Sequence, residues 1–182
     1  THRIAYLIEE KHVQPYNIMA ITFTNKAAGE MRERVNKIVG FGAEQVWVST
    51  FHSACVRILR RYIDRIGFTS SFIIFDSSDQ RTLVKQCLKQ LNVDDKMLND
   101  RAVLSAISNA KNEMLEPDMY KMRTNNEVRK EIIAQVYELY QKRLRENNAI
   151  DFDDIINYTI KILSENPDVL EYYSQKFEYV LV

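Results

Sequence analysis

The chain has 182 residues, of which 46% are hydrophobic and 27% are charged, and this composition excludes a disordered segment. Its 25 basic and 25 acidic residues cancel, so any nucleic-acid site has to be a local patch rather than a generally basic surface. No apolar run approaches the roughly 20 residues that cross a bilayer, and no signal-peptide pattern is present. The two cysteines are far apart, as is usual in a reducing compartment. The sequence therefore predicts a soluble, cytoplasmic protein.

The start of the chain alternates between helical and strand patterns. After a helical spacing of apolar residues, two short apolar runs, NIMAITFT and QVWVSTF, flank the helical segment NKAAGEMRERVNKIV. Strand, helix and strand within ~30 residues form a βαβ unit, whose two strands are parallel. A third apolar strand, FEYVLV, ends the sequence.

Helical patterns fill the sequence between the second and third strands. The segment HSACVRILRRYIDRIG has an apolar face, an arginine face and Gly67 as its C-terminal stop. A short extended segment, SFIIFD, precedes further predicted helices at 77–91, 100–112, 126–147, 151–163 and 167–177, and residues 112–126 are the predicted loop. The predicted fold class is helix-rich α/β, a partial parallel sheet with a large, mostly α-helical insertion.

Polar side chains follow both strands of the βαβ unit, in the segments TFTNK and STFHS. Ligands of open parallel sheets bind beyond the carboxyl ends of the strands, so both segments belong to one candidate site. Hydroxyl, amide, imidazole and ammonium groups suit phosphates and sugars, and an interleaved aromatic ring offers a base a stacking face worth ~1–3 kcal/mol. We predict a site for a single-stranded nucleic acid, formed by Thr22, Phe23, Thr24, Asn25, Lys26, Thr50, His52 and Ser53.

Each candidate also has a structural interpretation. Threonine and asparagine at these positions are ordinary helix N-caps, and Phe23 and Phe51 are equally compatible with a core. A single histidine is more often structural than functional. The arginine face is typical of a solvated helix surface, with phosphate contacts by Arg57 or Arg61 as the alternative. The acidic residues of AIDFDDII favour capping of a helix start over metal binding.

Several chemistries are missing from the sequence. No G-x-x-x-x-G-K-[ST] loop occurs, and the four glycines are not arranged to cradle a triphosphate. His52 and Cys55 have the spacing of zinc ligands, but no second pair of ligands follows. No Ser-His-Asp or Cys-His arrangement is visible. The sequence therefore predicts no catalytic, cofactor-binding or metal-binding residue in this chain.

Five ordered segments resemble those of the UvrD/Rep/PcrA-type superfamily 1 DNA helicases: ITFTNKAAGEMRERV, VSTFHSACVRILRRYIDRIG, FIIFDSSDQ, IDFDDII and FEYVLV. The resemblance covers essentially the whole chain and is greatest to PcrA-type members. It implies an intact bacterial protein that uses ATP and Mg²⁺ to move 3′ to 5′ on single-stranded DNA and to unwind duplexes at single/double-strand junctions. It also implies a role in replication and repair, with proteins of those pathways as further partners.

The resemblance assigns parts of the family's architecture to this chain. Residues 1–53 and 176–182 correspond to part of a RecA-like motor domain of the P-loop NTPase fold, and residues 54–175 to its helical insertion. Phe23 then contacts or stacks on a base, and the neighbouring polar residues hold the backbone. The DFDD segment adds Asp151, Phe152 and Asp153 near the DNA path.

The family's phosphate loop is expected before Thr1 and its catalytic acidic pair after Val182. We therefore expect a helicase fragment that binds no ATP or Mg²⁺, is inactive as an ATPase and helicase, and self-associates through exposed sheet edges. Two alternatives stay open: a stand-alone DNA- or protein-binding helical module without ATP chemistry, and a helicase–nuclease subunit of the AddA/RecB kind.

Overall fold

The computed structural model describes residues 1–94 and 97–182. The described residues form two compact units, one comprising Thr1–Ile58 and Thr159–Val182, the other Leu59–Tyr158. The boundaries between the units fall within two helices, at residues 58/59 and 158/159. The assignment of residues 54–175 to a helical insertion stays a prediction. No described helix combines the length and the apolarity that crossing a membrane would need.

The secondary structure is mainly helical, with short strands. In chain order the elements are α1 (His2–Glu9), β1 (Ile18–Thr22), α2 (Asn25–Val39), β2 (Trp47–Thr50), α3 (Phe51–Tyr62), β3 (Ile73–Ile74), α4 (Ser77–Gln90), α5 (Asp100–Asn112), α6 (Pro117–Met122), α7 (Val128–Glu146), β4 (Ala149–Ile150), α8 (Phe152–Glu165), α9 (Pro167–Lys176) and β5 (Tyr179–Leu181).

The first unit contains a three-stranded parallel sheet in the order β2-β1-β5. The central strand β1 is covered on both faces, as expected of a parallel strand, since Ile21 is buried on one face. On the other face, Ile18 and Ala20 are fully buried. They pack in one cluster with Leu7 of α1, Val35 of α2 and Val48 of β2. The predicted α/β class, the βαβ unit and the closing strand are therefore confirmed.

The second unit is a helical assembly around one apolar core. Helix α7 packs against α4, α5 and α6, and the two-residue strands β3 and β4 pair in parallel. The core side chains come from several helices and include Leu83, Val84, Leu88, Val103, Ile107, Val136, Tyr140 and Leu144.

Local capping explains where several helices begin and end. Asp76 accepts the N–H groups of Ser78 and Asp79 and forms a capping box with Asp79, which confirms the predicted start of α4. After α3 a short 3₁₀ turn, Ile63–Ile66, ends at Gly67, whose φ of 86° lies in the left-handed region. The predicted glycine stop is confirmed.

Two local predictions were wrong. The predicted loop at 112–126 contains α6, because Pro117 occupies the first helical position, where its fixed φ favours a helix start. The helical spacing of apolar residues in 126–147 predicts that Val128 faces inward, but this first residue of α7 is 63% exposed. The buried face of that helix instead includes Ile133 and Tyr137.

Candidate nucleic-acid interface

The carboxyl end of β1 turns directly into α2. Thr22 is buried, and its hydroxyl donates to the carbonyl oxygen of Thr24 at 3.1 Å. The Thr24 hydroxyl oxygen accepts the N–H of Ala27 at 3.1 Å, so Thr24 is the N-cap of α2. Phe23, Asn25 and Lys26 are exposed, as is Thr24. The turn is thus fixed by the two threonine hydroxyls, while an aromatic ring, an amide and an ammonium group face solvent.

The carboxyl end of β2 is organised in a similar way. Thr50 is buried; its hydroxyl accepts the N–H of Ser53 at 3.2 Å and donates to the Ser53 hydroxyl at 2.9 Å. Thr50 therefore caps α3, as the capping interpretation predicted. Ser53 is exposed, and His52 is half-buried.

These two strand ends lie side by side at one edge of the sheet. Thr22 is opposite Thr50 in the parallel register. The rings of the two following residues, Phe23 and Phe51, have centroids 5.5 Å apart and are tilted by 43°. Phe23 is 83% exposed and Phe51 is 37% exposed, so neither ring is a core side chain. The structure therefore brings the predicted residues of both segments together around an exposed aromatic pair.

This edge combines two kinds of attraction for a nucleic acid. Helices α2 and α3 both begin at this edge. Neither helix has an acidic residue in its described first turn that would repel an anion. Helix N-termini carry partial positive charge and unpaired N–H groups that favour anions such as phosphate. The exposed ring pair adds flat apolar surface for stacking. The arrangement suits a ligand that has both phosphates and planar bases.

The arginine face of α3 is exposed, as predicted for a solvated surface, and Arg60 on this face also makes structural contacts. Arg60 donates from one guanidinium nitrogen to the carbonyl oxygens of Ser70 and Phe72, both at 2.6 Å. Its guanidinium carbon also lies 3.8 Å from the centre of the Phe72 ring. Arg60 is therefore a structural residue, since it satisfies carbonyls of the following segment. Arg57 lies 4.2 Å from the centre of the Trp47 indole, and Arg61 is exposed.

The acidic segment at the start of α8 is largely buried. Asp151 and Asp154 are each 2% exposed, whereas Phe152 is exposed and Asp153 is half-buried. The N–H of Asp154 donates to Asp151 at 2.9 Å, and the N–H of Asp151 donates to Asp154 at 3.1 Å. The predicted capping role is confirmed. The burial of the Asp151 carboxylate argues against its prediction as a DNA contact.

A buried lysine that the sequence interpretation missed neutralises part of this acidic pair. The Lys111 ammonium lies 2.5 Å from an oxygen of Asp151 and 2.8 Å from an oxygen of Asp154. The Tyr140 hydroxyl donates to Asp151 at 2.9 Å. A signal was available, because Lys111 follows Ile107 by four residues and so lies on the apolar face of α5.

Burial and charge set the pKa values in this cluster. Burial raises the pKa of Asp154 to about 6, although the nearby Lys111 opposes the rise. Burial acts the same way on Asp151, but the charge and hydrogen bond of Lys111 outweigh it and hold that pKa below its ordinary value. Burial alone would lower the pKa of Lys111, yet the two carboxylates together raise it. The charged form of Lys111 is therefore favoured, and Asp154 is the carboxyl of the pair whose pKa is raised.

Comparison with known proteins adds independent information about the chain. The family model of the UvrD/REP helicase N-terminal domain matches residues 1–182. The chain is 52% identical over 182 residues to the ATP-dependent DNA helicase PcrA of Bacillus subtilis (strain 168) and 53% identical over 183 residues to that of Staphylococcus aureus. These matches cover 100% of the chain but only 24% and 25% of the relatives. The chain thus spans about a quarter of the length of the curated relatives it matches.

Proposed function

Since the chain belongs to the UvrD/REP helicase family, we propose that the sheet edge formed by the ends of β1 and β2 binds single-stranded DNA. The family resemblance expected from the sequence motifs is confirmed by the match over the full chain. The observation that carries the proposal is the exposed Phe23–Phe51 pair, which lies between the starts of two helices. A buried or distant pair of rings would offer no such surface to a base.

The residues of this edge have different proposed roles. Phe23 and Phe51 contact bases, and every base has a π-face, so this contact tolerates any sequence. Asn25, Lys26 and Ser53 contact the phosphate backbone together with the N–H groups of the helix starts. Thr22, Thr24 and Thr50 support the turns that present these groups. His52 is proposed as a further DNA contact, as the sequence predicted. In the second unit, Arg61 and Phe152 are exposed and Asp153 is half-buried, and a DNA contact by these three residues is a separate proposal.

The proposal for the whole protein follows from the relatives, which are named ATP-dependent DNA helicases. We infer that the intact protein is such an enzyme in the bacterial cytoplasm. It translocates 3′ to 5′ on single-stranded DNA and acts at single/double-strand junctions in replication and repair. Residues 1–53 and 176–182 belong to its motor domain, and residues 54–175 are the helical insertion.

Within residues 1–94 and 97–182, nothing forms a phosphate-binding loop or a group of side chains that could hold Mg²⁺. Gly29 lies within α2, Gly40 and Gly42 lie between α2 and β2, and Gly67 follows a 3₁₀ turn, so none follows a strand as a phosphate-binding loop requires. The buried carboxylates of the second unit are engaged by Lys111. We infer that this chain alone neither binds ATP nor hydrolyses it. Its proposed contribution is to hold the DNA strand by stacking and electrostatic attraction.

The test is a titration of labelled single-stranded and duplex oligonucleotides, followed by fluorescence anisotropy at several salt concentrations. We expect salt-dependent binding that favours single strands, because phosphate contacts release counterions and stacking needs unpaired bases. Phe23→Ala is expected to weaken binding by about 5- to 150-fold, which corresponds to the loss of one base–aromatic stack.

Phe41→Ala is the matched control, since Phe41 is fully exposed but lies between α2 and β2, away from the strand ends. It should bind as the wild type does. Equal losses in both variants would show that the rings act only as general apolar surface. If the folded wild type does not bind at low salt, the proposed interface is wrong.

A further inference from the structure

The junction between β2 and α3 contains no connecting residue. The strand ends at Thr50 and the helix begins at Phe51, so two residues of the proposed interface, Phe51 and Ser53, lie in the first turn of α3. The cap of Thr50 on Ser53 fixes that first turn locally. The direction in which the helix leaves the strand depends on contacts made further along it.

Trp47, the first residue of β2, is a well-anchored partner for such a contact. It is only 8% exposed, and its indole N–H donates to the Ser49 hydroxyl at 3.2 Å. The ring of Phe177 packs edge-on against the indole, with centroids 5.2 Å apart, and Tyr173 lies at 6.4 Å. The indole is therefore fixed by a hydrogen bond within β2 and by two aromatic rings of the segment that precedes β5.

Arg57 reaches back from the second turn of α3 to this indole. Its guanidinium carbon lies 4.2 Å from the indole centre, within the range of cation–π contacts. A guanidinium also stacks as a flat plane, which the lysine ammonium cannot do. The contact joins residues 47 and 57 and so closes the strand–helix corner that surrounds Thr50, Phe51 and Ser53.

We propose that Arg57 is a positioning residue for the DNA interface. Placed over the Trp47 indole, it fixes the corner that presents Phe51 and Ser53, and it does not contact phosphate itself. This inference rests on the proposed function. It replaces the sequence-based alternative that Arg57 binds a phosphate directly.

The first test needs no DNA. Trp47 is the single tryptophan of the chain, so its fluorescence reports on the surroundings of this indole, which include Arg57. In Arg57→Met we expect altered Trp47 emission and about 2- to 30-fold faster amide hydrogen exchange at Ser53 and Ala54, as loss of a cation–π contact implies. Arg57→Lys should give a smaller effect. Arg34→Met, which changes an exposed arginine of α2, should leave both readouts unchanged.

The second test separates positioning from direct phosphate contact. If Arg57 only positions the corner, Arg57→Met weakens binding of a labelled oligothymidylate by the same factor at every salt concentration. If Arg57 contacts a phosphate, the slope of log K against log salt falls in magnitude by about 0.7, and the inference is overturned. Unchanged exchange and emission in the first test would also overturn it. Should the wild type fail to bind DNA, the proposed function fails, while the exchange data still decide whether Arg57 holds the corner.

Discussion

The ammonium group of Lys111 lies 2.8 Å from the carboxylate of Asp154, and both side chains are almost fully buried. Asp151 lies on the same ammonium at 2.5 Å, so one cation faces two carboxyl groups. The cluster connects α5 to the start of α8 and, through the Tyr140 hydroxyl, to α7. This buried ion-pair network joins three helices of the second unit. We expect the stability of that unit to depend on its charged groups and therefore on pH.

Removing the cation should destabilise the protein strongly. In Lys111→Met two buried carboxyl groups lose their partner, and breaking a buried ion pair in this way costs about 3–5 kcal/mol. The measurement is urea unfolding at pH 7.5, followed by circular dichroism. Lys130→Met is the control: this exposed lysine pairs with Glu127, and its loss should leave the free energy of unfolding unchanged. Equal stability of Lys111→Met and wild type would contradict the role of the cluster.

The contribution of Asp154 should depend on pH between about 4 and 6. Burial raises its pKa from the ordinary 3.8 to about 6, so within this range the folded state binds a proton that the unfolded state has released. Stability from this group is therefore complete below about pH 4 and is lost as the pH rises through 6, by about 3 kcal/mol. An amide side chain does not titrate, so the Asp154→Asn variant should not show this loss of stability with rising pH.

The measurement is the difference in unfolding free energy between wild type and Asp154→Asn across pH 4 to 7.5. Wild type should lose stability relative to the variant as the pH rises. Asp118→Asn, which changes an exposed carboxyl of α6, serves as the control and should follow the wild-type curve. A difference that stays constant with pH would mean that Asp154 has no raised pKa.

Variants of Thr24 can distinguish a structural role of its hydroxyl group from a direct role in DNA binding. Thr24→Ala removes the acceptor for the Ala27 N–H and should cost about 1 kcal/mol of stability. Thr24→Ser keeps a hydroxyl oxygen at the same place, so both stability and DNA binding should be retained. Chemical denaturation and anisotropy on the same samples check this. Lower affinity of Thr24→Ala at unchanged stability would instead identify the hydroxyl as a direct DNA contact.

Local sequence signals determined much of the fold and the position of the candidate site. The apolar runs and the helix between them predicted parallel strands, and parallel strands bring their carboxyl ends to one edge; Thr22 indeed lies opposite Thr50. The capping residues Asp76 and Thr24 were recognisable because their partners are only two or three residues away. The prediction of a loop at 112–126 was wrong because Pro117 starts helix α6 there.

Tertiary structure alone decided the contacts between distant segments. A helical pattern shows that Lys111 lies on an apolar face, but only the fold supplies Asp151, 40 residues away, which makes burial of that charge tolerable. The partners of two arginines of α3 are likewise supplied by other segments. Arg60 donates to carbonyl groups of the segment that follows α3, and Arg57 contacts the Trp47 indole of β2. Periodicity specifies which face of an element is buried. Which side chains pack against that face depends on the tertiary structure. A buried charge or an aromatic ring stabilises the protein only through the groups that the fold places beside it.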